Sequence, residues 1–363
     1  MTAANVRKRI RPVVITGGAG FIGSNLADRL AREGQNVVVF DSLERLGVER
    51  NLEWLKRRHS RTVAAVRADV RDRDALAEAV SDAAAIFHFA AQVAVTSSLD
   101  DPQEDFAVNA GGTVNLLEAA RHAGGVPVII ASTNKVYGDL ADVALERSAD
   151  RYTPEDSKLA ATGIGESRPL DLHTPYGCSK GTADQYALDY ARSFGLPTVV
   201  FRMSCIYGPR QMGTEDQGWV AHFAKRALAG RTIRIYGDGR QVRDVLFVDD
   251  AVEAYVAAWR HINQVKGSAF NLGGGPQNAI SLLQLIGHLE QLLDRSINVE
   301  LFDWRPGDQR YYVSDPSLAR RKLELGAPLS WREGVAKLTD WLRSEEPSPQ
   351  PLRAAPQRVE ALS

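Results

Sequence analysis

The chain has 363 residues, of which 44% are hydrophobic and 25% are charged, and its formal net charge is −1. This composition is that of an ordinary globular protein, and the small net charge excludes a general electrostatic attraction to nucleic acid or to an anionic membrane. Because one compact core rarely grows to this length, we expect two lobes or a large α/β domain with an appendage.

Cysteine content and apolar runs narrow the class of protein further. The two cysteines, Cys178 and Cys205, are too few for a disulfide framework and have no metal-ligand spacing. The basic stretch at residues 6–11 lacks the apolar segment of a signal peptide, and no run reaches the ~18 apolar residues of a membrane span. We therefore expect a cytoplasmic protein with no metal centre, no membrane segment and no nucleic-acid partner.

A glycine-rich turn follows the first predicted strand, Val13–Thr16, and precedes an amphipathic helix predicted at residues 24–33. Glycines with this spacing allow a tight turn, close approach of the backbone to a pyrophosphate, and close packing of the helix on the strand. The helix N-terminus then offers free N–H groups and the positive end of its dipole to the anion. The pattern predicts a dinucleotide site at Gly17, Gly20, Phe21, Ile22 and Gly23.

The second strand, predicted at residues 37–40, ends at Asp41. A carboxylate at this place would accept hydrogen bonds from the adenosine ribose and would repel a 2′-phosphate. NAD is therefore the predicted cofactor, while the nearby Arg45 leaves NADP open as an alternative.

The third and fourth strands, predicted at residues 63–66 and 86–92, bring further groups to the same edge of the sheet. His88 stands within the apolar fourth strand, which favours a structural histidine over a catalytic one. Small residues at the end of that strand let the backbone pass close to a cofactor. The predicted cofactor contacts here are Asp69, Val70, Ala90 and Ala91.

A helix predicted at residues 108–122 carries Asn109 near its start, and we predict that this residue also contacts the cofactor. The fifth strand, at residues 128–132, delivers Thr133 and Asn134 to its carboxyl end. Ligands of open α/β sheets bind at that end of the strands. Thr133 and Asn134 are therefore predicted to lie beside the substrate.

Tyr176 and Lys180 stand four residues apart on the next predicted helix and so share one face of it. An ammonium held beside a phenol favours the phenolate, which makes Tyr176 a plausible acid and base for a hydroxyl proton. The spacing alone is a weak signal, and it gains weight from the dinucleotide pattern upstream. The polar stretch at residues 140–170, just before this helix, is expected to cover the mouth of the site.

Strands and helices alternate as far as residue 202, which predicts an α/β fold with a Rossmann-type, doubly wound parallel sheet. After this point the pattern changes, and we predict a smaller C-terminal α/β lobe that binds substrate. The Rossmann domain is expected to cover residues 11–205, joined by residues 240–273, whose strand at 241–250 would return to the main sheet. Residues 206–239 and 274–344 would form the substrate lobe, and residues 345–363 a disordered tail.

From residue 13 to residue 342 these ordered motifs resemble the extended short-chain dehydrogenases/reductases that modify nucleotide sugars. The resemblance implies that the Tyr176 phenolate takes a hydroxyl proton while a hydride passes to NAD. It implies that Lys180 holds the nicotinamide ribose and lowers the pKa of Tyr176, and that Thr133 bonds the reacting oxygen. It also implies a set of contacts to the nucleotide sugar, with Arg243 the best candidate for the diphosphate: Asn134, Arg210, Arg243, Arg305 and Asp308.

The dehydratases of this family hold an acidic pair where this chain has Asn134 and Lys135. An amide cannot donate a proton as an acid, and a lysine has the wrong charge, so water elimination is disfavoured. The glutamate of the decarboxylases is absent as well. Epimerisation by oxidation and re-reduction at one carbon remains as the predicted reaction.

Residues 132–139, 175–186 and 216–220 are similar to epimerases that invert C2 of a CDP-linked 3,6-dideoxyhexose. This similarity implies oxidation at C2, rotation of the keto sugar and return of the hydride to its other face. The alternatives are a 4-epimerase of a UDP- or other NDP-hexose, or a non-catalytic NAD-binding subunit. Cys205 stands where many relatives have asparagine, which leaves the exact sugar open. The family also suggests a homodimer or higher homo-oligomer, which the apolar positions of the helices at 108–122 and 182–194 could form, although core packing explains those positions equally.

Overall fold

Seven parallel strands form the main sheet of the computed structural model, which describes residues 10–305 and 307–345. Their order is β12-β8-β5-β4-β1-β2-β3. The strands are β1 Val13–Thr16, β2 Val37–Asp41, β3 Val63–Arg67, β4 Ala85–His88, β5 Val128–Thr133, β6 Leu145–Arg147, β7 Tyr152–Pro154, β8 Thr198–Met203, β9 Cys205–Tyr207, β10 Ile233–Tyr236, β11 Val242–Phe247, β12 Ser268–Leu272, β13 Ala279–Ser281, β14 Val299–Phe302 and β15 Tyr311–Tyr312.

Helices cover both faces of this sheet, as a doubly wound fold requires. The helices are α1 Phe21–Arg32, α2 Val48–Arg58, α3 Arg73–Val80, α4 Val95–Asp100, α5 Pro102–Phe106, α6 Gly112–His122, α7 Ser157–Thr162, α8 Thr174–Phe194, α9 Trp219–Leu228, α10 Val248–Arg260, α11 Ile262–Val265, α12 Leu282–Leu293, α13 Ser317–Lys322 and α14 Trp331–Glu345. The fold-class prediction is confirmed. Of the predicted tail, Glu345 ends α14, and residues 346–363 lie outside the described residues.

Buried, β-branched strands explain why this sheet is covered on both sides. Val13 and Ile15 of β1 point into one apolar cluster and Val14 into another, so every residue of the strand loses its exposure to water. On one face α10 packs with α1, and its Tyr255 ring lies 4.8 Å from the ring of Phe201 and 6.3 Å from that of Phe87, measured between centroids. Helices α3, α6 and α8 cover the other face.

The helix predicted to begin at residue 108 begins earlier. Asp101 caps α5 by accepting a hydrogen bond from the N–H of Glu104, and Pro102 occupies the first turn. A π-helical turn, Ala107–Gly111, then joins α5 to α6. An aspartate followed by proline is a typical helix start, because proline has no N–H to lose at that position.

The strand predicted to return to the main sheet at residues 241–250 does not do so. β11 instead pairs antiparallel with β13 and parallel with β15 and β9, inside the smaller lobe. All of its residues are buried, and a fully buried strand does not reveal from its own sequence which sheet it joins. β12 takes the edge of the main sheet beside β8.

Residues 140–170 do not cover the mouth of the site, contrary to expectation. They form the β6–β7 hairpin and α7 and attach to the smaller lobe, where the Tyr152 N–H donates to the Arg240 carbonyl and the Ile164 N–H to the Val313 carbonyl. None of these residues borders the large cleft described below. Within residues 10–305 and 307–345, no helix combines the length and apolar character of a membrane span.

Candidate active site

A cleft of about 650 Å³ opens at the carboxyl ends of the main-sheet strands, beside the smaller lobe. Most residues predicted for the cofactor and the reaction border it. Those residues are Gly17, Gly20, Phe21, Ile22, Gly23, Asp41, Asp69, Val70, Ala90, Ala91, Thr133, Asn134, Tyr176, Lys180, Arg243, Arg305 and Asp308. Asn109 and Arg210 do not border it.

The glycine turn leaves a cradle that side chains would fill. Gly17 has φ of 66°, and a Cβ atom there would lie 2.6 Å from the backbone nitrogen of Ala90. A Cβ at Gly23 would lie 2.4 Å from the Gly17 carbonyl oxygen. The first turn of α1 has no side-chain cap and no acidic residue, so its N–H groups remain available to an anion. This geometry fits the pyrophosphate of NAD.

Asp41 is held rigidly at the end of β2. Its two carboxylate oxygens accept hydrogen bonds from the N–H groups of Ala19 and Leu43, both at 2.9 Å. Burial raises the pKa of this carboxyl, and these backbone N–H groups oppose the shift. Each carboxylate oxygen has more than one lone pair, so Asp41 can still accept from ribose hydroxyls. Arg45 also borders the cleft, and burial lowers its pKa.

Thr133, Tyr176 and Lys180 meet on the other side of the cleft. β5 ends at Thr133, whose hydroxyl lies close enough to the buried Tyr176 phenol, in the first turns of α8, to favour its ionised form. Lys180 lies one turn further along and donates from Nζ to the Ala131 carbonyl at 2.7 Å. The structure therefore brings together the three predicted catalytic residues.

Burial sets the pKa directions of Tyr176 and Lys180 in this geometry. Lys180 was expected to lower the pKa of Tyr176, yet burial raises that pKa to about 12, with Thr133 opposing the shift and Asp105 adding to it. Burial also lowers the pKa of Lys180 to about 8. Because its ammonium bonds to a carbonyl rather than to the phenol, Lys180 gives Tyr176 no direct hydrogen bond in this state.

Asp105 is a site residue that the sequence did not reveal. Its carboxylate is fully buried and accepts hydrogen bonds from the Ser179 hydroxyl, from Gln92 Nε2 at 3.0 Å and from Asn109 Nδ2 at 3.1 Å. Ser179 lies between Tyr176 and Lys180 on α8, and Gln92 borders the cleft. Asp105 thus ties the catalytic helix to the cofactor side of the cleft. The signal that could have found it is Asp101-Pro102, which starts the helix early enough to place Asp105 one turn before Asn109.

Replacing Asp105 by asparagine is expected to move the pH profile of kcat/KM to lower pH. The carboxylate raises the pKa of Tyr176 and of Lys180, so its loss lowers both values and shifts both limbs in the same direction. The other charged or titratable groups facing Lys180 are Asp184, which is paired to Arg202, and His88, which stays neutral. Exposed Asp100→Asn is the control. A lower kcat/KM at every pH without a shift of the profile would mean that Asp105 is merely structural.

Asn109 does not border the cleft itself, and its contact with the cofactor stays a prediction. Its amide nitrogen donates to the Gln92 carbonyl, to Asp105 and to the Ser179 hydroxyl, each at 3.1 Å. The π-helical turn that contains Asn109 sets this direction. Its contacts therefore position the catalytic helix.

Arg210 does not line the main cleft but a small adjoining pocket that shares Phe21 and Arg45 with it, and its contact with the substrate stays a prediction. Its guanidinium lies 3.5 Å from the centroid of the Trp54 ring, and its backbone has φ of 68°. Stacking on an aromatic face uses the guanidinium for packing.

His88 behaves as expected, because the hydroxyls of Thr16 and Thr113 bond its two ring nitrogens at 2.6 and 3.0 Å and burial lowers its pKa to about 3.

The part of the cleft that is bordered by Arg243, Arg305 and Asp308, called the substrate half below, contains paired charges. Arg243 is buried and donates to Asp308 at 2.7 Å and to the Gln309 carbonyl at 2.6 Å. Arg305 lies 3.7 Å from the centroid of the Tyr236 ring and pairs with Asp216 at 3.1 Å. These arginines combine a cation with fixed geometry, as phosphate binding requires.

The two residues that replace the acidic pair of the dehydratases both reach the segment at residues 307–309. Asn134 Nδ2 donates to Gln309 Oε1 at 3.0 Å, and Lys135 Nζ donates to the Gly307 carbonyl at 2.8 Å. Gln309 in turn donates to the Gly138 carbonyl. Neither side chain is placed as a free acid or base. The described residues contain no cluster of three or more His, Cys, Asp or Glu side chains suited to a metal.

Sequence comparisons relate the chain to enzymes that act on nucleotide sugars. Residues 13–273 match the NAD dependent epimerase/dehydratase family. A CDP-paratose 2-epimerase of Salmonella typhi is 42% identical over 92% of this chain and 99% of its own length. A UDP-glucose 4-epimerase of Mycolicibacterium smegmatis is 35% identical over 92% of this chain and 98% of its own.

A solved structure extends the agreement to three dimensions. The Thermus thermophilus UDP-glucose 4-epimerase in complex with NAD has a TM-score of 0.77 and 30% identity, covering 92% of this chain and 99% of its own. The family resemblance of the sequence motifs is thereby confirmed, and so is NAD as the cofactor. The chain belongs to the NAD-dependent epimerase/dehydratase family.

Proposed function

We propose that this protein is an isomerase that epimerises C2 of a CDP-linked 3,6-dideoxyhexose, using NAD. The observation that carries the proposal is the assembly of Thr133, Tyr176 and Lys180 in one cleft with no acid at positions 134 and 135. Such a site can oxidise and reduce a carbinol but lacks the groups that eliminate water. The 42% identity to a CDP-paratose 2-epimerase supports the choice of nucleotide and carbon.

Each residue of the cleft has a separate role in this reaction. Tyr176 removes the hydroxyl proton and later returns it, Thr133 holds the reacting oxygen, and Lys180 orients the ribose of the cofactor and contributes positive charge. When bound, NAD supplies the hydride acceptor and, in its oxidised form, a positive charge that favours ionisation of a nearby phenol. Arg243 and Arg305 hold the diphosphate while the keto sugar turns, and Asn134 contacts the sugar.

Product analysis by NMR tests this function. The purified protein is incubated with CDP-, UDP-, GDP- and dTDP-linked sugars, including a CDP-dideoxyhexose that carries deuterium at C2. We expect inversion at C2 with the deuterium retained there, because the same hydride is returned. Inversion at C4 with C2 unchanged would support the 4-epimerase alternative, which the 35% identity to a UDP-glucose 4-epimerase favours. A protein that holds NAD but converts no sugar would be a non-catalytic subunit.

Replacing Arg243 by alanine is expected to raise KM for the nucleotide sugar roughly ten- to hundredfold, the effect of losing a charge-assisted hydrogen bond. NAD affinity, followed by fluorescence titration, should stay near that of the wild type because Arg243 lies in the substrate half of the cleft. Arg243→Lys keeps the charge but loses the planar fork, so an intermediate KM is expected. An unchanged KM in Arg243→Ala would remove this residue from substrate binding.

The proposal includes a homodimer or higher homo-oligomer in the cytoplasm. Phe106, Tyr186 and Phe194 are large, exposed apolar side chains on α5 and α8, and they would lose water contact in a helix-mediated interface. Light scattering of the purified protein measures the oligomeric state directly.

Both cysteines are free, as in a reducing compartment.

A further inference from the structure

Lys135 is a cation in the substrate half of the cleft to which the sequence motifs give no role. It lies two residues after Thr133, and its backbone N–H donates to the Thr133 hydroxyl at 3.2 Å. Its Nζ reaches the opposite side, where it donates to the Gly307 carbonyl at 2.8 Å. Lys135 therefore connects Thr133 with residues 307–309, of which Asp308 and Gln309 accept hydrogen bonds from Arg243.

The charges around this ammonium do not balance. Arg243 already bonds Asp308, a carboxylate that borders the cleft, at 2.7 Å. The remaining groups that face Lys135 are the Cys205 thiol, whose pKa is raised by burial, and Asp139, which bonds His173 at 3.0 Å. Lys135 and Arg243 thus both face Asp308 in a partly desolvated place, while the other carboxylate that faces Lys135, Asp139, also bonds His173. An ammonium has more N–H donors than its bond to Gly307 uses, so it can take a further acceptor.

We propose that Lys135 binds the phosphate next to the sugar in the nucleoside diphosphate substrate, together with Arg243. A phosphate supplies the missing negative charge, which a sugar hydroxyl does not. The place also suits that phosphate, because it lies between Thr133 and Arg243. This inference rests on the proposed function and adds Lys135 to Arg243 and Arg305 as an anchor that keeps the diphosphate fixed while the sugar turns.

Binding without turnover tests the role of Lys135. Calorimetry on the NAD-loaded protein compares CDP with CMP and UDP with UMP, so that base preference does not decide the result. In Lys135→Met we expect the affinity for the diphosphates to fall roughly tenfold or more while the affinity for the monophosphates changes little. The control is Gln309→Met, which loosens the same segment without removing a charge and should weaken both nucleotide classes alike.

The pH dependence of the wild-type protein gives a readout that needs no variant. Burial, aided by Arg243, lowers the pKa of Lys135 to about 8. Because an anion binds the protonated ammonium, CDP affinity is expected to fall as the pH rises through this value, measured from about pH 7 upward, where the terminal phosphate of CDP is already mostly doubly ionised. Lys135→Arg should extend tight binding to higher pH, since a guanidinium stays charged there.

The outcomes separate this role from the proposed function. An unchanged ratio of diphosphate to monophosphate affinity in Lys135→Met, or a CDP affinity that does not fall above pH 8, would overturn the phosphate contact alone. A wild-type protein that binds no nucleoside diphosphate would overturn both this role and the nucleotide-sugar function. Melting temperature and NAD content establish that each variant is folded.

Discussion

Tyr176→Phe is expected to lower kcat by roughly 10²- to 10⁴-fold, the usual contribution of a positioned acid and base. The phenol is buried against the Thr133 hydroxyl, and no other hydrogen-bond partner of it is seen within the described residues. Phenylalanine fills the same volume, so the fold and NAD binding should be retained. The reaction is followed by NMR of the product, and bound NAD is measured after release by heat.

A serine in place of Thr133 provides the matched comparison. It keeps the hydroxyl that faces Tyr176, so it should retain much more activity than Tyr176→Phe, while Thr133→Ala should not. Near-normal turnover in Tyr176→Phe with full NAD content would remove this tyrosine from the chemistry and leave Lys180 and Thr133 to be reconsidered.

Gly17→Ala is expected to abolish stable NAD binding and to lower the melting temperature. A left-handed backbone costs a non-glycine residue about 1–2 kcal/mol, and here the new Cβ would also lie 2.6 Å from Ala90 N and 2.7 Å from Phe89 C. Both contacts are backbone atoms of the segment after β4, so relief requires moving the turn that would bind the pyrophosphate.

Gly34→Ala separates strain from collision. Gly34 has φ of 81°, yet a Cβ there meets nothing within 4 Å. Gly34→Ala should therefore lower stability only through the cost of a left-handed backbone at alanine, and it should still bind NAD. Thermal melting with and without added NAD measures both effects. Equal losses in the two variants would show that the close approach of Gly17 to Ala90 is not needed for the cofactor.

The cofactor half of the site could be predicted because its chemistry is local in sequence. Gly17, Gly20 and Gly23 follow one strand directly, and Asp41 ends the next, so a turn and a strand end suffice to place them. Thr133 and Tyr176 are distant in sequence, but each follows a recognisable element of an alternating pattern. Residues at the carboxyl ends of parallel strands meet without further information.

The substrate half could not be predicted to the same depth, because its contacts depend on tertiary pairing. Arg243 is the stronger phosphate candidate in sequence and Arg210 a weaker one, but only the fold shows that Arg243 lines the main cleft while Arg210 stacks on Trp54. The membership of β11 in the smaller lobe is likewise decided by its partners β9, β13 and β15. Asp105 was missed because a buried acid has no periodic signature of its own.

The position of α10 has a consequence for how the chain folds. Tyr255 covers Phe87 and Phe201 in the centre of the main sheet, and β12 closes its edge, yet both elements follow β9, β10 and β11 of the smaller lobe in sequence. A nascent or truncated chain that stops near residue 205 would leave an apolar face bare and a strand edge open to aggregation. The main sheet is thus completed only after the strands of the smaller lobe have been synthesised, and we expect a chain truncated near residue 205 to aggregate.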